Sequence, residues 1–97
     1  MTFFNQLILG DCLNILPKIK DKSIDMVLCD LPYGITACKW DTIIPFQDMW
    51  AELNRITKDS SAMVFTASQP FTSHLVLSNL NNFRHEWIYK KRCASNI

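Results

Sequence analysis

The apolar positions of this chain fall into short blocks divided by polar punctuation, and the spacing changes from block to block. Leu7-Ile8-Leu9 runs into Gly10 and Asp11, after which Leu13 and Leu16 stand three apart. That pattern predicts a strand, a glycine turn and a short helix opened by an acid. Ser23-Ile24-Asp25-Met26-Val27-Leu28-Cys29 is short, partly β-branched and too apolar for a surface loop, so it reads as a buried strand of an α/β sheet. Pro45 suits a first helical residue, and Phe46, Met49, Trp50, Leu53 and Ile56 recur at helical spacing up to Thr57. Lys58-Asp59-Ser60-Ser61 reads as a turn and Ala62-Met63-Val64-Phe65-Thr66 as a second buried strand. Pro70 opens a further helix with Phe71, Leu75 and Leu80 on its buried side, ending near Asn81-Asn82. Arg84 to Lys91 alternates as a strand does. The expected order is β-α-β-α-β-α-β: an α/β fold, partly Rossmann-like, with a mostly parallel sheet, in one domain over residues 1–97.

Composition narrows the class. The 97 residues are 48% hydrophobic, enough for a single small core. A net charge of +1 does not by itself mark a nucleic-acid-binding protein, so any such binding needs a local basic patch. Cys12, Cys29, Cys38 and Cys93 show no C-x-x-C spacing. They read as free thiols in a reducing cytoplasm, with no zinc site and no disulfide framework. His74 and His85 are isolated, which argues against a metal or nucleophilic centre. No signal peptide, membrane-length apolar run, repeat or low-complexity linker is visible.

The candidate chemistry lies where the first buried strand ends, at Asp30-Leu31-Pro32-Tyr33-Gly34. Ligands of open α/β sheets bind at the carboxyl ends of the strands. An ionised Asp only accepts hydrogen bonds, and the Leu31 carbonyl adds a second acceptor. Together they suit a group with two N–H donors, such as the exocyclic amine of a nucleobase. Pro32 fixes its own φ and biases Leu31 towards an extended conformation. Tyr33 offers a ring face for base stacking, worth roughly 1–3 kcal/mol in nucleic-acid sites. Gly34 lets the chain turn. Read as an isolated pentapeptide, the same residues describe an ordinary strand-to-loop turn with a half-buried Tyr.

The pentapeptide resembles the Asp-Pro-Pro-Tyr signature of the amino-group DNA methyltransferases, with Leu31 in place of a Pro whose contribution in that family is a backbone carbonyl. Gly10-Asp11-Cys12-Leu13 resembles the segment with which the permuted, β-type members begin. This resemblance implies that Asp11, with Cys12 beside it, lies at the adenine of S-adenosylmethionine. The residues alone equally fit Asp11 as a helix cap. Ile35 to Asp41 is similar to a loop that the family closes with a Trp-Asp pair, a segment able to fold over base or cofactor, although Trp40 alone reads as a hydrophobic plug. Trp87-Ile88-Tyr89-Lys90-Lys91, with Ala94-Ser95-Asn96 after it, resembles the family segment near the target base. That implies Lys90, Lys91 and Arg92 against DNA phosphates, whereas three consecutive cations taken alone are a solvated edge. Ser68 and Gln69 share the sheet edge with Asp30 and can either touch ligand or cap the helix at Pro70, of which the cap is the preferred reading.

The resemblance implies methyl transfer from S-adenosylmethionine to the amine of a base flipped from double-stranded DNA, held by Asp30, Leu31, Pro32 and Tyr33. Adenine-N6 is favoured over cytosine-N4 because the first motif position is Asp rather than Ser. The resemblance spans nearly the whole chain but only roughly the first third to half of a complete enzyme. The family's glycine-rich cofactor loop and its recognition segment have no counterpart here, since Gly10 and Gly34 are the only glycines. The expectation is therefore a partial catalytic domain, inactive alone. Its sheet would lack the two strands that separate the first from the second, and would be completed by a second copy or by a complementary carboxyl-terminal half. The alternative is a non-catalytic remnant serving as a small α/β binding or assembly module. An unrelated nucleotide-binding domain is disfavoured by the lack of a Gly-x-Gly-x-x-Gly or P-loop motif.

Overall fold

The computed structural model describes residues 4–92. Asp11 opens a single-turn helix α1 (Cys12–Ile15), continued by a 3-10 turn over Leu16–Lys18 that carries Pro17. Strand β1 (Ile24–Asp30) leads through a long loop to helix α2 (Phe46–Ile56), which passes directly into strand β2 (Thr57–Thr66). Helix α3 (Phe71–Ser78) and a 3-10 turn (Leu80–Asn82) follow. β1 and β2 pair in parallel, so β1-α2-β2 is a β-α-β unit, and the predicted α/β class with a parallel sheet holds.

The core sits on one side of that sheet. The helical stripe read from sequence buries Met49, Leu53 and Ile56 of α2, which meet Phe71 and Leu75 of α3 and the Leu31 side chain. Val27, Cys29, Met63 and Phe65 face this cluster from the strands. Each buried aliphatic or aromatic side chain contributes about 1.5–3 kcal/mol. The opposite sheet face is apolar and bare: Met26 is 55%, Leu28 73% and Val64 43% exposed. Parallel sheets are normally covered on both faces.

Thr57 joins helix to strand without a loop. Its amide donates to the Leu53 carbonyl as the C-cap of α2, and its hydroxyl donates to the same carbonyl at 2.7 Å. Arg55 fastens the preceding layer: its guanidinium reaches the carbonyls of Leu16 and Ile19 at 2.8 and 2.7 Å and the carboxylates of Glu52 and Asp21.

Four expectations change. Lys58 to Ser61, read as a turn, lie within β2, but as a bulge: Ile24 pairs with Thr57 and Met26 with Ala62, so those residues stand opposite Asp25 alone. The Ser61 hydroxyl donates to the Ile24 carbonyl at 2.7 Å and Lys58 pairs with Asp25 at 2.6 Å, which holds the bulge in place. The Pro70 helix breaks at Asn79, where φ is −148° and ψ 52°, and Leu80 is 59% exposed rather than buried. Leu7-Ile8-Leu9 and Arg84 to Lys91 are not strands, so the β-α-β-α-β-α-β order is cut to two strands among the described residues. The physical reason is common to both segments. Alternation or apolarity records a face that wants covering, but a strand also needs a neighbour for its ladder, and neither segment has one. Leu7 and Leu9 are fully exposed, and Trp87, Ile88 and Tyr89 nearly so. No helix is long and apolar enough to cross a membrane among the described residues.

Candidate functional site

The carboxyl end of β1 delivers Asp30 to an open depression of about 440 Å³. Asp30, Leu31, Pro32 and Tyr33 line it together with Thr36, Trp40 and Asp41. The four residues predicted from the motif are thus brought together. Leu31, the departure from Asp-Pro-Pro-Tyr, has its own anchor: its side chain is only 6% exposed and sits in the core with Met49 and Phe71. Packing supplies here a restraint that a proline ring would supply covalently.

Tyr33 is held from two sides. Its ring lies 4.9 Å from that of Phe71, tilted by 30°, and Phe71 in turn meets Phe46 at 5.7 Å. Its hydroxyl donates to Thr66 Oγ1 at 3.2 Å, and Thr66 donates to Asp30 Oδ1 at 2.5 Å. Thr66 is the ladder partner of Asp30. Sequence reasoning picked Ser68 and Gln69 at this edge and passed over Thr66. The available signal was that Thr66 closes the second buried strand, which a parallel register sets beside the end of the first.

The loop beyond Tyr33 is closed by Asp41. Its carboxylate accepts three backbone N–H bonds, from Gly34 at 2.9 Å, Ile35 at 2.9 Å and Thr36 at 2.7 Å. These bonds, that from Gly34 foremost, lower the Asp41 pKa to about 2. Gly34 is required where it stands: its φ is +73°, and a Cβ there would lie 2.9 Å from Ile43 Cγ1. The reading of Trp40 as a buried plug is corrected, because the side chain is 81% exposed at the mouth of the depression. A plug needs a cavity, and the loop that Asp41 folds leaves Trp40 on its outer side.

Asp11 caps α1, its Oδ1 accepting the Leu13 amide at 2.9 Å. The Cys12 thiol is pushed up by burial first and by Asp11 second, and the Cys29 thiol by burial first, then by Cys12 and Asp30. Cys12 and Asp30 thus each lie near enough to Cys29 to raise its thiol, which places Cys12 towards the end of β1 that carries Asp30. The N-cap position of α3 is Pro70, which supplies no side-chain cap; one residue earlier, Gln69 Oε1 accepts the Ser73 amide at 3.3 Å and hydroxyl at 2.8 Å, while Ser68 contributes its backbone carbonyl to the Thr72 amide. Lys90, Lys91 and Arg92 are exposed and do not line the depression. Cys93 and Ala94-Ser95-Asn96 lie outside the described residues. No group of three or more His, Cys, Asp or Glu residues able to hold a metal ion occurs among the described residues.

The chain is 25% identical over 88 residues to the type II methyltransferase M1.MboII of Moraxella bovis. The match covers 82% of the chain and 33% of the Moraxella protein, so the chain spans about a third of the length of that relative. No protein-family model and no solved structure matches the chain.

Proposed function

We propose that this chain carries the base-accepting part of a DNA methyltransferase catalytic domain, one that transfers a methyl group from S-adenosylmethionine to an exocyclic amine, adenine-N6 in preference to cytosine-N4. The observation that carries the reading is the placement of Asp30, Leu31, Pro32 and Tyr33 around one open depression at the carboxyl end of a parallel strand, in a chain related to a methyltransferase. Two acceptors beside an aromatic ring match a flat base that bears a two-donor amine.

Asp30 and the Leu31 carbonyl accept the amine's two N–H bonds and leave its lone pair directed out of the base plane. Tyr33, immobilised by Phe71, stacks on the base after it leaves the duplex. S-adenosylmethionine, when bound, supplies an electrophilic methyl group on a sulfonium. The chemistry of the donor set fits such a cation next to a carboxylate, and Asp11 with Cys12 would lie at its adenine. Orientation and the Asp30 charge account for the rate, and the proton released from the amine leaves through the open mouth. Double-stranded DNA is the partner, with Lys90, Lys91 and Arg92 on its phosphates. With only Gly10 and Gly34 in the sequence there is no glycine-rich loop for the methionine end, so the 97 residues alone are expected to be inactive.

Calorimetric titration of the chain with S-adenosylmethionine, beside Asp11→Asn, tests this. Asn caps a helix as well as Asp does, so the variant removes charge and keeps the turn. Binding that weakens in the variant supports a working half-site. Absence of binding in the wild-type chain favours a non-catalytic remnant.

A further inference from the structure

We propose that Thr66 is a positioning residue that commits Asp30 to accepting an amine, and so makes the depression select amino-bearing over carbonyl-bearing bases. The inference rests on the base-accepting reading above and adds a residue that the motif does not contain.

Asp30 and Thr66 are the last residues of their strands and are paired in the parallel ladder, so their side chains leave the sheet on the same face at the same edge. A threonine hydroxyl has one proton to give and lone pairs to receive. Tyr33 donates to Thr66 Oγ1 at 3.2 Å, which occupies the acceptor side of that hydroxyl and turns its single proton to Asp30 Oδ1, 2.5 Å away. The direction of the chain is then fixed: Tyr33 gives to Thr66, and Thr66 gives to Asp30. A short bond from a hydroxyl to a carboxylate is charge-assisted. Each donor in such a series strengthens the next.

Two consequences meet at the site. Oδ1 is pinned, so Oδ2 and the Leu31 carbonyl, whose side chain is locked in the core, form a fixed pair of acceptors. The Tyr33 ring is fixed at its hydroxyl as well as against Phe71, so the stacking surface and the acceptors keep one relative orientation. An amine satisfies both acceptors. A base with a carbonyl in the same place sets acceptor against Oδ2 and the Leu31 carbonyl, which discriminates by repulsion as well as by lost bonding.

The test uses the full chain with Asp, Tyr carbon-13 labels and compares wild type, Thr66→Val, Thr66→Ser and Tyr33→Phe. Adenosine, which carries the amine, and inosine, which carries a carbonyl in its place, are titrated separately and read at the Tyr33 ring and Asp30 carboxylate signals. Wild type is expected to prefer adenosine. Thr66→Val, nearly isosteric but without the hydroxyl, should lose roughly tenfold of that preference, the worth of one hydrogen bond to a charged group. It should also move the Asp30 carboxylate and Tyr33 Cζ resonances, which Thr66→Ser restores. Tyr33→Phe leaves Thr66 in place but removes the donor that orients its hydroxyl, and should move the Asp30 signal without any change to the strand. If Thr66→Val keeps both the preference and the resonances, the positioning role is wrong and the amine reading stands. If wild type does not distinguish the two nucleosides at Tyr33, the amine reading fails and the role of Thr66 falls with it.

Discussion

The Gly34 amide donates to Asp41 Oδ1 at 2.9 Å, and this one bond spans the loop whose residues Thr36, Trp40 and Asp41 line the depression beside Asp30 and Tyr33. Ile35 and Thr36 add their amides to the same carboxylate. Asp41→Asn offers one carbonyl oxygen where the carboxylate offers two, so at least one of the three amides loses its partner. Hydrogen exchange at Gly34, Ile35 and Thr36 should accelerate several-fold in the variant, with exchange in β1 unchanged. Equal protection in both proteins would mean that the loop is held by something else.

Acid should open the same loop. The folded pKa of Asp41, about 2, lies below the ordinary carboxylate value near 3.9. The stabilisation is therefore fully present above about pH 4 and is lost as pH falls through about 2. The amide signals of Gly34, Ile35 and Thr36 are expected to titrate together with a midpoint near 2, and Asp41→Asn to abolish that titration.

Gly34→Ala forces a side chain into left-handed backbone and against Ile43. The backbone term alone costs about 1–2 kcal/mol. Urea unfolding should show a lower midpoint with an unchanged slope. Ile43→Ala in the same chain should recover only the steric part of the loss.

Met49 is 2% exposed at the centre of the core. Met49→Ala should cost about 2–5 kcal/mol, a large part of the stability of so small a domain. Thermal unfolding monitored by circular dichroism measures it directly.

The bare face carrying Met26, Leu28 and Val64 should drive association between copies of the chain at high micromolar concentration. Light scattering on wild type and Leu28→Lys checks this. A monodisperse monomer in the wild-type protein would count against it, and the charged variant should shift the distribution to smaller species.

What the sequence reveals here depends on whether a signal is local. The Ile24 to Cys29 block and the Phe46 to Ile56 stripe carry their own periodicity; the stripe forms the helix expected, and the block forms a strand that is covered on one face only and not buried as its apolarity predicts, because an apolar run records a demand for cover and not the presence of a second layer. Asp30 to Tyr33 is contiguous, so its convergence was legible. Thr66 was not, because its meaning comes from a register between strands separated by a helix. Asp41 was read as half of a Trp-Asp pair, but its three amide partners depend on a backbone fold that no spacing announces. Residues 84–91 alternate as a strand should and still have no ladder, since a pattern specifies a face and not a neighbour.

The bulge at Lys58 to Ser61 divides β2 into a helix-bound start and a site-bound end. Below it, Thr57 is welded to α2; above it, five successive ladder pairs run from Met26↔Ala62 to Asp30↔Thr66. Slack of this kind absorbs changes of length. A residue gained or lost among the four would alter the spacing between helix and sheet yet leave Thr66 opposite Asp30, whereas the same change anywhere from Ala62 onward would turn Thr66 to the far side. Evolution is thus free to edit this strand at one end and forbidden to at the other.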